Sequence, residues 1–208
     1  REELIKAAIS ILRDKGVAEL SLRELATVVG VSHGAPYRHF RGKQALLEAI
    51  AATGYEHLIQ VCDAAAEAYP ADSEKQLVEA GMGYLLFMVR NPQIANLMFS
   101  GVLPPHAWND ELRDTANGAI QSLVRIVENG KRAGLYVDKD VTDLTLASLS
   151  IVHGLSMLIT GGFLNDHGPP SEARIRQLGL SISRILLSGM LRNSNQRGRT
   201  KGGGDNGS

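Results

Sequence analysis

Between Leu25 and Leu47 the chain carries no Asp or Glu, yet it places Arg38, Arg41 and Lys43 there, with His33 and His39 in the same stretch. A local excess of cations suits one kind of chemistry, the binding of a polyanion. Lys and Arg meet phosphates and displace their counterions, and helix N-termini add unpaired amides to the same task. The whole chain is neutral, with 22 basic and 22 acidic residues, so this charge is an asymmetry and not a general property. Covalent or metal chemistry finds no comparable set. There is no G-x-S-x-G, no H-E-x-x-H and no phosphate-binding glycine loop. The six histidines are scattered with no pair at metal spacing. His57 and Asp63 share a helical stretch but have no nucleophile at motif spacing. The residues therefore predict binding and not catalysis, with no cofactor and no metal.

Short helices must position those cations. Leu4, Ile5, Ala8, Ile9 and Leu12 recur at three-to-four spacing, which predicts an amphipathic helix near residues 1–15 with Gly16 as its stop. Ser21-Leu22-Arg23-Glu24 has the spacing of a capping box, in which Ser21 bonds the Glu24 amide and Glu24 reaches back. It opens a helix over about Leu22–Val29 that Gly30 ends. Ser32 is then the N-cap of a third short helix, roughly His33–Phe40, with Pro36 in its first turns. Leu22, Leu25, Ala26, Val28, Val31 and Phe40 are expected to pack inward. His33, Gly34, Ala35, Tyr37, Arg38 and His39 are left facing out. Two short helices joined by Val29-Gly30-Val31-Ser32 make a helix-turn-helix. Composition alone is equally consistent with a small helical bundle bearing a basic face.

The string itself is more specific. Ser21-Leu22-Arg23-Glu24-Leu25-Ala26, then Gly30-Val31-Ser32, then Tyr37-Arg38-His39-Phe40-Arg41-Gly42-Lys43-Gln44-Ala45-Leu46-Leu47, closely resembles the N-terminal domain of the TetR family of repressors. The resemblance implies a homodimer that binds double-stranded operator DNA and is released by a small-molecule effector. It also implies DNA contacts at Ser21 and Arg23, at Ser32, His33, Gly34 and Ala35 on the recognition helix, at Tyr37 and His39 on phosphates, and at Lys43. This chain departs from the commoner pattern with His33 in place of Lys and Pro36 in place of an aliphatic residue. Val152-His153-Gly154 resembles the Trp-His-Gly-containing C-terminal domain found in part of the family, with Val152 where Trp is common.

Helical periodicity continues along the chain. Further helices are expected at 43–68, 74–90, 92–100, 105–133, 140–160 and 171–191, so the fold class is all-α. The domains read as 1–48 for the helix-turn-helix, 49–191 for a larger helical ligand-binding and dimerisation domain, and 192–208 as a disordered tail. The stretch 140–160 is apolar nearly all round. The stretch 171–191 carries Ile175, Leu178, Ile182, Ile185 and Gly189 in three-to-four steps, with Leu180, Leu187 and Leu191 on the other side. Two helices with a second apolar stripe each predict a four-helix subunit interface. Soft and aromatic side chains are the pocket candidates: Tyr55, Phe87, Met88, Trp108, His153 and Met157. A DNA-binding regulator controlled by protein contacts alone is the competing reading.

With 44% hydrophobic and 21% charged residues the chain is globular. The lone cysteine, Cys62, excludes an internal disulfide framework and fits a reducing cytoplasm. No signal peptide and no membrane partner are expected, because the most apolar run, Leu144–Ile159, is broken by serines, His153 and Gly154.

Overall fold

The computed structural model describes residues 1–165 and 168–191, and the expected tail 192–208 lies outside them. Among the described residues the architecture is all-α. The order is α1 (Glu2–Glu19), α2 (Leu22–Val29), a 3-10 turn (Pro36–Arg38), α3 (Lys43–Ala68), α4 (Ser73–Arg90), α5 (Pro92–Phe99), a second 3-10 turn (Pro105–Ala107), α6 (Asp110–Arg132), α7 (Val141–Thr160) and α8 (Glu172–Met190). The helices pack as two compact units, 1–61 with 86–122, and 62–85 with the described residues from 123 to 191.

In the first unit, α1 supplies Leu4, Ala8, Ile11 and Leu12 to a core that also buries Leu20, Leu22, Leu25, Ala26 and Phe40. Gly16 breaks α1 where a stop was predicted: its φ of 80° and ψ of 177° are not helical, and a second short helical stretch follows as far as Glu19. Only glycine tolerates such a φ without strain. The expected helix 105–133 is also interrupted. Trp108 is extended (φ −66°, ψ 140°), and the Asn109 side chain accepts from the Leu112 amide at 2.8 Å, so α6 starts afresh at Asp110.

In the second unit, Cys62, Ala65, Leu77, Ala80, Ile126, Val127, Tyr136, Leu144, Leu187 and Met190 form one core. Tyr136 is 1% exposed, and its hydroxyl donates to the Ser73 carbonyl at 3.3 Å. Burial pushes the phenol up to about 12 and the Cys62 thiol up to about 11. Tyr136 meets Leu191 in a single antiparallel bridge.

Helices α7 and α8 pack on each other. Asp140 and Ser171 cap them, accepting from the Thr142 and Arg174 amides. The buried face of α8 carries Ile175, Gly179, Leu187 and Met190, while Ile185 is 65% exposed. The expected faces are thus partly exchanged. Gly179 takes the inward register because its bare backbone sits against Met82 and Leu85, and that register turns Ile185 out. Ser148 and Ser156 are buried on α7 and bond back to the Leu144 and Val152 carbonyls. With their hydroxyls satisfied in this way, the serines do not make the helix polar. α7 is long and apolar enough, by length and composition, to cross a bilayer, at a mean hydropathy of 1.4. A core helix passes the same test, so α7 does not indicate a membrane.

Candidate nucleic-acid interface and ligand-contacting residues

Ser21 is extended (φ −140°, ψ 153°), and its Oγ accepts from the Glu24 amide at 3.1 Å. This is half of the expected capping box. The Glu24 carboxylate meets Lys15 instead of reaching back, because the kinked end of α1 brings that ammonium alongside. At the other end of α2, Gly30 sits in the left-handed region (φ 74°), and the Val31 amide bonds the Ala26 carbonyl at 3.0 Å. Glycine takes this conformation without the penalty a Cβ would bring, which fixes where the chain turns.

The segment after the turn differs from the expectation. Residues 33–35 form a turn, and helical structure is confined to the 3-10 stretch Pro36–Arg38. Ala35 bonds Ser32, Arg38 bonds Ala35 and His39 bonds Pro36, each from amide to carbonyl three residues back. Pro36 has no amide with which to bond four residues back, so a regular α-helix over 33–40 loses a bond at its start. Pro36 and Phe40 are buried and anchor the segment. Val28 and Val31, expected inside, are 57% and 40% exposed.

Ser21, Arg23, Ser32, His33, Gly34, Tyr37 and His39 are all exposed, and Ala35 is half-buried. Tyr37 is 58% exposed, unusual for a tyrosine without a covering partner. Arg38 and Arg41 are exposed beside them. The structure thus collects every sequence-derived DNA candidate except Lys43 on one free stretch. Lys43 is half-buried at the start of α3, and its ammonium donates to the Ala18 carbonyl at 3.1 Å.

The ligand candidates divide between the units. In the first, Tyr55 is buried and its hydroxyl donates to the Met98 carbonyl at 3.2 Å. Its ring meets Phe99 edge-on at 5.9 Å and Trp108 at 6.1 Å, and burial raises its phenol to about 12. Phe87 stacks on His57 at 4.9 Å, and Met88 is 1% exposed. Trp108 donates its indole N–H to the Leu103 carbonyl at 2.8 Å. In the second unit, His153 Nδ1 lies 2.8 Å from the Tyr84 hydroxyl, and Met157 is exposed. Desolvation lowers the pKa of both His57 and His153.

A cleft of about 350 Å³ in the first unit includes Trp108 but none of the other candidates. It also includes Glu48, a carboxylate that is only 5% exposed. The sequence reading missed Glu48. Its signal was a charged residue among Leu46, Leu47, Ala49 and Ile50, all of them buried.

A helix-turn-helix with a free, acid-poor second element defines a DNA-binding regulator. Residues 4–50 match the family of bacterial regulatory proteins, tetR family, and residues 77–180 match the tetracyclin repressor-like C-terminal domain. The chain belongs to the TetR family of transcriptional regulators, which are not enzymes. It is 26% identical over 194 residues to the uncharacterized HTH-type transcriptional regulator YobS of Bacillus subtilis, covering 92% of each chain. It is 45% identical over 51 residues to the class C tetracycline repressor protein of Escherichia coli, covering 24% of this chain and 23% of that one. A solved structure of a protein with unknown function from Rhodococcus sp. RHA1 is 29% identical, with a TM-score of 0.80, over 92% of this chain and 95% of that one. None of these matches speaks to the Trp-His-Gly subtype.

Proposed function

We propose that this regulator is a cytoplasmic homodimeric repressor, bound to operator DNA through 21–43 and released when a small apolar effector binds the helical remainder. The observation that carries the DNA-binding half is the exposed set Ser32, His33, Gly34, Tyr37 and His39 within a stretch free of carboxylates. His33 and Gly34 meet base edges, Tyr37 and His39 meet phosphates, and Lys43 adds its charge at the start of α3. Ser21 and Arg23 meet the DNA backbone, and Ser32 and Ala35 lie with His33 at the end that enters the major groove. The N-terminal likeness to a tetracycline repressor protein supports the repressor reading.

The dimer reading rests on apolar side chains that remain exposed on α7 and α8, namely Leu146, Met157, Leu158, Leu180 and Ile185. Two half-sites on a two-fold operator also call for two copies. The domains follow as 1–48 for DNA and 49–191 for ligand and dimerisation. Tyr55, Phe87, Met88, Trp108, His153 and Met157 are the proposed effector contacts, and α3, continuous from Lys43 to Ala68, carries the coupling.

Selection on random duplex DNA identifies the operator. Thermal shifts against a panel of apolar compounds then identify binders. A true effector is weakened by operator by the same factor by which it weakens operator binding, because coupling is reciprocal. Equal effector dissociation constants with and without operator overturn the release mechanism for that compound. A protein that selects an operator but responds to none of the panel supports control by protein contacts instead.

A further inference from the structure

The cleft in the first unit has apolar walls from Leu47, Val102, Leu103 and Pro104, and the Trp108 ring beside them. Its one buried ionisable group is Glu48. Glu48 Oε1 accepts from Gln44 Nε2 at 3.0 Å, and Oε2 accepts from Asn109 Nδ2 at 2.7 Å. Both donors are neutral amides. The cationic residue lining the cleft, Lys43, gives its ammonium to the Ala18 carbonyl and makes no ion pair with Glu48. Gln44 is held in place by a further bond to the Ala107 carbonyl at 3.3 Å.

A carboxylate removed from water and given only amide donors has half of what it needs. The amides satisfy lone pairs, but no described residue is ion-paired with the charge, and burying such a charge is costly. A cation entering the cleft recovers that cost. A small hydrated metal ion is a poor fit, because the remaining lining is aliphatic and aromatic and offers few oxygens. An ammonium that carries apolar substituents matches all of the lining at once. Its charge faces Glu48, its polarised methyl or methylene groups face the indole, and its arm displaces water from the aliphatic wall.

We propose that this cleft binds an organic ammonium ion, with Glu48 as counterion and Trp108 beside the charged head. The site rests on the first unit alone. It shares Trp108 with the effector contacts proposed above, and it depends on that reading only for its consequence on DNA.

Trp108 is the sole tryptophan, so its fluorescence reports on the cleft without labelling. The full chain is titrated with benzyltrimethylammonium and, separately, with neopentylbenzene, the uncharged carbon isostere. The expected result is saturable quenching by the ammonium, with the isostere at least about tenfold weaker. Glu48→Gln keeps the size and an accepting oxygen but removes the charge, and it should bring the two compounds to similar affinity. Equal binding of both compounds to the wild-type protein overturns the proposal. So does the absence of saturable quenching up to about 10 mM, which corresponds to less than 3 kcal/mol of binding. If circular dichroism shows Glu48→Gln unfolded, the wild-type comparison decides alone. Operator release is measured in a separate titration. An ammonium that binds without releasing DNA leaves the site standing and removes it only as an inducer site. Release by a neutral compound that leaves the ammonium titration unchanged supports the repressor reading without touching this one.

Discussion

Two stretches of this chain are exposed, and they are exposed for opposite reasons. Residues 31–41 show water a tyrosine, two histidines and two arginines on a backbone held by turn bonds three to five residues long and two buried anchors, Pro36 and Phe40. Helices α7 and α8 show water Leu146, Met157, Leu158, Leu180 and Ile185 on regular, capped helices. The first surface is polar, acid-poor and shaped by a turn. It suits a charged, hydrated partner that supplies phosphates. The second is apolar and lies on regular helices. It suits a partner that excludes water, such as the same face of a second copy. Exposure alone identifies neither partner. The side-chain chemistry and the regularity of the backbone are what separate the two proposals.

The largest effect expected of a test of that contrast is at α8, where Leu187 and Ile185 lie two residues apart on opposite sides. Leu187→Asp puts an unpaired charge in the core of the second unit and should cost at least about 3 kcal/mol, with loss of the cooperative melting transition. Ile185→Asp should leave the helical content intact and shift light scattering at micromolar concentration from dimer to monomer. A folded dimer from Ile185→Asp would break the comparison at its apolar end. Leu25→Ala tests the core beneath the polar surface. Leu25 is fully buried, so about 3 kcal/mol of stability and all operator binding should go together. Persistent operator binding would show that 31–41 holds its shape without α2.

Smaller effects sharpen the picture. Tyr136→Phe removes one bond to the Ser73 carbonyl and should cost about 1 kcal/mol in a denaturant titration without changing the oligomer. The mildest test uses pH. His57 and His153 have folded pKa values below the ordinary 6.5 because burial disfavours their charged forms. As pH falls through 6.5 the unfolded chain takes up protons that the folded chain refuses. Stability is therefore complete above 6.5 and declines below it, toward the lowered folded values. Between about pH 7.5 and 5.5 the melting temperature of His153→Asn should fall less than that of the wild type. An unchanged slope would assign the acid sensitivity elsewhere.

Much of this was legible from residue order. The Ser21 cap, the Gly30 turn and the limits of α3 and α7 follow from local rules that tertiary packing did not override. Three features were not legible. A proline in a first turn costs a helix little, but Pro36, after Gly34 and without an amide, limits the helical structure to the 3-10 stretch Pro36–Arg38. The inward register of α8 depends on Gly179 meeting Met82 and Leu85, a contact some ninety residues away in sequence that periodicity does not encode. Glu48 reads as a solvated charge until Asn109 and Gln44 are found bonded to it. The proposed DNA-facing residues rest on exposure and charge, both local properties, whereas a pocket is assembled from distant segments.

The central claim is that 21–43 is the DNA interface and that its cations meet phosphates. The most direct test is the salt dependence of affinity for the selected operator, measured for the wild type and for Lys43→Ala. The account predicts a steep linear fall of log K with log salt, and a slope shallower by about 0.9 in the variant with its sequence preference unchanged. A variant with the same slope and an altered sequence preference would contradict it.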